Sequence, residues 1–201
     1  IAFSLALIIE APVIMMMSAS IALVKNKLTF NKLRVFTYTL NSAITLVFAL
    51  LLLPSVFYFV TLELINLPLT VAEITHHALI MLLPWPAAIG YRRFYQGILI
   101  SNNLTRRVAY GTIIRLVTMG STSILLFTFT EIPGAAVGAM SLSSAVVAEA
   151  IASRLMSNEI VKRIKSDSVE FEKDHSIRSR EIFSFYFPLA LMSLLNLGVQ
   201  P

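Results

Sequence analysis

The chain has 201 residues, 57% of them hydrophobic and 13% charged, with a mean hydropathy of +0.79. A water-soluble domain of this size has no single core able to hide that much apolar surface, so lipid must solvate most of it. The absence of cysteine removes disulfide scaffolds, thiolate metal sites and thiol nucleophiles, and the net charge of +5 takes its meaning from where the basic residues fall.

A helix crosses the hydrocarbon with about 20 mostly apolar residues. The first such stretch is 1–24, which carries Glu10 and Pro12. It starts at Ile1 inside an apolar run and has no signal-peptide pattern, so the chain is expected to be an internal piece of a longer protein. Lys25, Lys27, Lys32 and Arg34 follow, then a second span over 35–60. The loop around Asn66 has no basic residue, and the third span, 77–100, contains Pro84 and Pro86. Arg92, Arg93, Arg106, Arg107 and Arg115 form the next basic group, counting helix ends, around the start of a fourth span at 107–129.

A fifth span over 133–156 is rich in small residues. Seven further basic residues run from Arg154 at the end of that span to Arg180, and the hydrophilic stretch 157–181 mixes six of them with Asp167, Glu170, Glu172 and Asp174. It is expected to be a cytoplasmic connector between two lobes, helical through Lys165 and then flexible, with 182–201 beginning the next helix. These runs are long and continuous, which excludes the dyad alternation of a β-barrel and gives an all-α polytopic membrane protein.

The three basic groups hold all 16 Lys and Arg residues, and they lie on one side, which the positive-inside rule makes cytoplasmic. Topology therefore accounts for the basic balance, and no nucleic-acid partner is expected. The localisation expected is a cell inner membrane or plasma membrane, crossed several times, with membrane lipid as the surrounding partner.

Function is sought in the exceptions to apolarity. Pro12, Pro84 and Pro86 each remove a backbone hydrogen bond and are expected to bend their helices, as helices lining transport cavities do. Gly134, Gly138, Ser141, Ala145, Glu149 and Ala152 share one face, a small-residue stripe that should let a neighbouring helix approach closely. Glu149 then faces a neighbour rather than lipid, and Arg115 is its expected structural ion-pair partner, since an unpaired charge at that depth is costly. Glu10 lies fifteen residues before Lys25, hence roughly 22 Å from the basic side. With no basic residue expected at that depth, it must meet water, a partner or a proton, and it is the candidate substrate- or ion-binding residue. Glu73, His76 and His77 cluster at an external helix end but read as solvated interface residues, so no metal site is assigned. Ser141, Ser143 and Ser144 have no histidine at compatible depth to serve as base, so no catalytic residue and no enzyme activity are assigned either.

The stretch Leu83-Pro84-Trp85-Pro86 through Arg92-Arg93-Phe94-Tyr95-Gln96-Gly97-Ile98-Leu99, then Thr105-Arg106-Arg107 and Gly111-Thr112-Ile113-Ile114-Arg115, resembles the MATE-like exporter superfamily. That group includes multidrug exporters, lipid-linked oligosaccharide flippases and progressive ankylosis transporters. Ala2-Phe3-Ser4-Leu5 with Pro12, and Ser184-Phe185-Tyr186-Phe187-Pro188-Leu189-Ala190-Leu191 near Asn196, look most like the ankylosis branch. The resemblance implies helices two to six of a first six-helix lobe plus the start of a second lobe. The two lobes would be related by a pseudo-two-fold axis and would enclose a V-shaped cavity that alternates access by rocking. It further implies a monomeric secondary transporter or flippase that exports a drug-like, lipid-linked or organic-anion substrate, with H+ or Na+ coupling and no cofactor. The alternatives from other classes are an intramembrane lipid-modifying enzyme and a non-transporting membrane scaffold.

Overall fold

The computed structural model describes residues 2–166 and 179–199. The described residues are almost wholly helical and contain no strand. Four of their helical segments, Ser4–Leu23, Lys27–Leu51, Thr105–Phe129 and Gly134–Met156, are long and apolar enough to cross a membrane. The architecture is that of an all-α membrane protein. The expected connector residues Asp167, Glu170, Glu172, Lys173, Asp174, His175 and Arg178 lie outside the described residues.

The first apolar run forms α1 (Ala2–Ile14) and α2 (Met16–Leu23), interrupted at Met15 just after Pro12. The second span forms α3 (Lys27–Leu51), which begins well before the expected residue 35. Asn26 explains the early start. Its side chain accepts from the Thr29 amide at 2.8 Å, while Thr29 Oγ1 accepts from the Asn26 amide at 3.0 Å, a reciprocal cap that satisfies two otherwise orphaned donors. The helix also stops short of residue 60. Pro54 cannot continue the ladder and opens a new short helix, α4 (Pro54–Tyr58), followed by a π-helical stretch, Phe59–Leu64. Asn66, with φ of 56°, ends this segment in the left-handed conformation that asparagine tolerates.

The third expected span is not one helix. It divides into α5 (Leu69–Met81) and α6 (Trp85–Ser101), separated by a turn at Leu82–Pro84. Pro84 caps α6 and Pro86 sits in its first turn, where a missing amide is harmless. Both prolines thus start a helix rather than bend one. A second left-handed asparagine, Asn103, turns the chain from α6 into α7 (Thr105–Phe129), which is followed by α8 (Gly134–Met156), α9 (Asn158–Ser166) and α10 (Ser179–Val199).

Helix α6 lies at the centre and packs against α1, α2, α3, α7 and α8. Residues around most of its circumference are buried, including Trp85, Ile89, Arg92, Phe94, Tyr95 and Leu99. Helix α7 is the opposite case. Gly111 is its one buried residue among those described, while Ile113, Val117, Ile124, Phe127 and Phe129 are more than half exposed. A helix with that much bare apolar surface is stable in lipid and aggregates in water.

Close approach of helices occurs at α6. A Cβ built on Gly97 would lie 2.6 Å from Ser20 Cβ and 2.7 Å from the Met17 carbonyl oxygen, and Ser20 Oγ donates to the Phe94 carbonyl at 2.8 Å beside it. At Gly134 and Gly138, where the small-residue stripe was expected to bring a neighbour close, nothing lies within 4 Å of an added Cβ. The stripe packs from Ser141 onward, and the glycine end of α8 is open. Gly97→Ala should therefore lower the melting temperature of the purified protein by several degrees, because the Met17 backbone must shift. Gly138→Ala should leave it unchanged or raise it slightly through helix propensity. Equal melting temperatures for wild type and Gly97→Ala would show that α2 and α6 are not packed as described.

Candidate functional site

Glu10 and three arginines meet at one cavity of about 350 Å³ bounded by α1, α6, α7 and α8. Its lining includes Glu10, Trp85, Arg92, Arg93 and Arg115. On α6, Trp85, Ile89, Arg92 and Gln96 follow one another at spacings of three and four, so the helix presents them on a single face. The restart of α6 at Pro84 sets that register. It brings the Trp85 indole to Glu10, whose carboxylate accepts its Nε1–H. Glu10 is buried on α1, 5% exposed.

Two helical turns further along α6, Arg92 Nη1 donates to Glu149 Oε2 and the two form a buried ion pair. Gln96 Nε2 donates to the other carboxylate oxygen at 3.1 Å. Arg115 Nε stands 3.7 Å from Glu149 Oε2, and its side chain is 38% exposed against 2% for Glu149. The expected partners Arg115 and Glu149 are thus within ion-pair distance, but Arg92 is the closer and more deeply buried cation. Gly111 on α7 lies beside this cluster, and a Cβ added there would meet Glu149 Cγ at 3.5 Å, an ordinary van der Waals contact.

One expectation about charge placement requires correction. Arg92 and Arg93 lie within the expected third span and Arg115 within the fourth, since α6 runs on to Ser101 and α7 starts at Thr105. By helical rise, Arg92 and Arg115 therefore lie roughly 14–15 Å inside their helix ends. Glu10 was expected to have no basic residue at its depth, and it shares its cavity with three arginines. Counting residues from the nearest lysine cannot reveal this, because the arginines descend into the bundle along α6 and α7. The helical spacing of Trp85, Arg92 and Gln96 was the available signal.

No family model, curated protein or solved structure matches this chain.

Pro12 lies two residues beyond Glu10 inside α1, and the helix breaks at Met15. The Tyr186 hydroxyl of α10 donates to the Pro12 carbonyl, so α10 docks against the interrupted region of the first span. His76 is buried, its Nε2 at 2.8 Å from the Leu52 carbonyl and its ring centroid 4.6 Å from that of Phe57. It ties α5 to the end of α3 and is not the solvated interface residue expected. His77 bonds the Glu73 carbonyl at 2.9 Å. Among the described residues no group of three metal-ligating side chains is present. Ser141 Oγ donates to the Val137 carbonyl at 2.8 Å, and Ser144 Oγ donates to Thr122 Oγ1 at 3.2 Å, so these hydroxyls serve α8 and its contact with α7.

A second surface runs along the other side of α6. Tyr38 of α3 stacks on Tyr91 with ring centroids 6.0 Å apart and planes 9° from parallel. Its hydroxyl lies 3.3 Å from that of Tyr95, and the Arg154 guanidinium covers the Tyr95 ring at 5.0 Å. Tyr91 is shared by two adjoining apolar cavities of about 540 and 380 Å³, on the α3 and α8 sides. Sequence reasoning missed this wall because Tyr38, Tyr91 and Tyr95 come from helices whose mutual rotation the sequence does not state.

Proposed function

We propose that this chain belongs to a secondary active transporter or flippase that exports a drug-like, lipid-linked or organic-anion substrate by alternating access. In this reading it spans the cytoplasmic membrane as part of a MATE-like lobe, acts as a monomer, and couples transport to H+ or Na+. The observation that carries the proposal is Glu10: a carboxylate buried in a cavity between lipid-exposed helices, hydrogen-bonded to Trp85 and facing a cluster of arginines. A fold stabilised by lipid has no need of five ionisable groups in its interior, because each is expensive there. They are retained where ions or polar substrates pass. Interrupted helices on both sides of the cavity, at Met15 and at Leu82–Pro84, supply the non-ideal backbone that such sites use.

The test is reconstitution of the full-length protein into liposomes, with candidate substrates supplied under an imposed proton or sodium gradient. Gradient-dependent accumulation or counterflow is the expected result. No movement of any candidate substrate, with or without a gradient, would overturn the proposal.

Orientation follows from the same reading. Lys25 and Arg106 belong at the cytoplasmic face and Glu131 at the external one. Cysteines replacing Lys25 and Arg106 should resist an impermeant thiol reagent outside intact cells, whereas Glu131→Cys should label readily. The reverse pattern would invert the topology.

A further inference from the structure

We infer that the cavity beside Glu10 is a phosphate-binding site and that Arg93 is its anchoring residue. This deepens the transport reading and takes the meaning of the site from it, but binding can be measured without any transport.

Three guanidinium groups, Arg92, Arg93 and Arg115, line the cavity, against two carboxylates, Glu10 in its wall and Glu149 behind Arg92. Glu149 pairs with Arg92 and Arg115, whereas the Glu10 carboxylate accepts from the neutral Trp85 indole and its charge is shared by the arginines around the cavity. Arg93 is the least engaged of the three. Among the described residues it makes no ion pair, its Nε is buried with no hydrogen-bond partner, and its Nη1 has only a 3.9 Å contact to the Met17 sulfur. Arg92, itself 4% exposed, also has an Nε without a partner. Arg93 is half-buried, and a guanidinium drawn partly out of water with unused donors is costly unless an anion completes it.

The cavity is large enough for a tetrahedral oxyanion with part of its substituent, and its lining includes Leu116 of α7, which is 53% exposed. With Glu10 ionised the excess is one positive charge, and with Glu10 protonated it is two. A carboxylate ligand cancels only one. A phosphate group carries one to two negative charges, and its oxygens match the guanidinium fork. The group could arrive as free phosphate or on a lipid headgroup, and the same chemistry holds both.

The experiment measures equilibrium binding of radiolabelled inorganic phosphate to purified full-length protein in detergent at constant ionic strength, with dihexanoyl phosphatidic acid as competitor. Saturable binding is expected, at least tenfold weaker in Arg93→Gln and several-fold weaker in Arg93→Lys, which keeps the charge and loses the fork. The exposed control Arg106→Gln should bind like wild type. Competition by phosphatidic acid at much lower concentration than by unlabelled phosphate assigns the site to a lipid headgroup, and equal potency assigns it to the free ion; both support it. If Arg93→Gln does not fold, wild type and Arg93→Lys decide. Absence of saturable phosphate binding to wild type, or equal affinity in the folded Arg93 variants, would overturn the inference even if transport itself is observed. Phosphate binding without transport would instead count against the transport reading alone.

Discussion

Glu149→Ala should sharply reduce the yield of folded protein. The substitution leaves Arg92, 4% exposed, without its carboxylate and takes the acceptor from Gln96. Breaking a buried pair by removing one partner costs about 3–5 kcal/mol, a large part of a total stability of order 5–15 kcal/mol. Arg115→Ala should be much milder, below about 1 kcal/mol, because Arg115 is more than a third exposed and lies 3.7 Å from the carboxylate. Exchanging Arg115 and Glu149 should not restore stability, since it sets a second guanidinium against that of Arg92. The double change Arg92→Met with Glu149→Leu should recover most of it, because apolar side chains of similar volume remove both charges at once. Monodisperse yield and melting temperature in detergent provide the measurement. A Glu149→Ala protein as stable as wild type would show that Arg92 is satisfied elsewhere.

Glu10→Gln should leave the fold intact and change the chemistry of transport. The amide oxygen can still accept the Trp85 Nε1–H, and the size of the side chain is kept, so the melting temperature should move by no more than a few degrees. What is lost is the titrating carboxylate in a cavity lined by Arg92, Arg93 and Arg115. If Glu10 carries the coupled proton or cation, reconstituted Glu10→Gln should lose gradient-driven accumulation, by tenfold or more, and its residual counterflow should not vary with pH or sodium. Wild-type rates together with wild-type pH and sodium profiles would assign Glu10 a structural role, as the acceptor that holds α1 against the first turn of α6.

These two results bear on different parts of one cluster. Glu149 is enclosed by Arg92 and Gln96 and has both oxygens engaged, which suits a fixed brace between α6 and α8. Glu10 sits in the cavity wall beside an arginine with unused donors, which suits a group whose charge state changes. The arginines on the intervening face of α6 couple the two, so replacing one of them should affect both stability and coupling.

Composition and hydropathy were enough to establish an all-helical chain that lipid must solvate, and the bare apolar surface of α7 agrees with that. Hydropathy depends on amounts of apolar surface, and those are present in the sequence whatever the packing. Helix ends were less legible, because they depend on local chemistry that outweighs hydropathy. The Asn26 cap extends α3 back to Lys27, Pro54 stops its continuation, and Pro84 divides the third run into two helices. Each of these signals is present in the sequence, but an apolar window averages over it.

Which partner each buried charge engages most closely was decided by tertiary structure. Residue spacing placed Arg115 and Glu149 at compatible depths, and they lie within ion-pair distance. It could not show that α6 is central and rotates Arg92 toward Glu149 first, or that Trp85 reaches Glu10 across a span of 75 residues in the chain. Depth follows from counting residues at a fixed rise along one helix. Which side chains meet depends on the rotation of each helix about its axis against its neighbours, and packing around Gly97 and the Leu82–Pro84 break helps to set that angle.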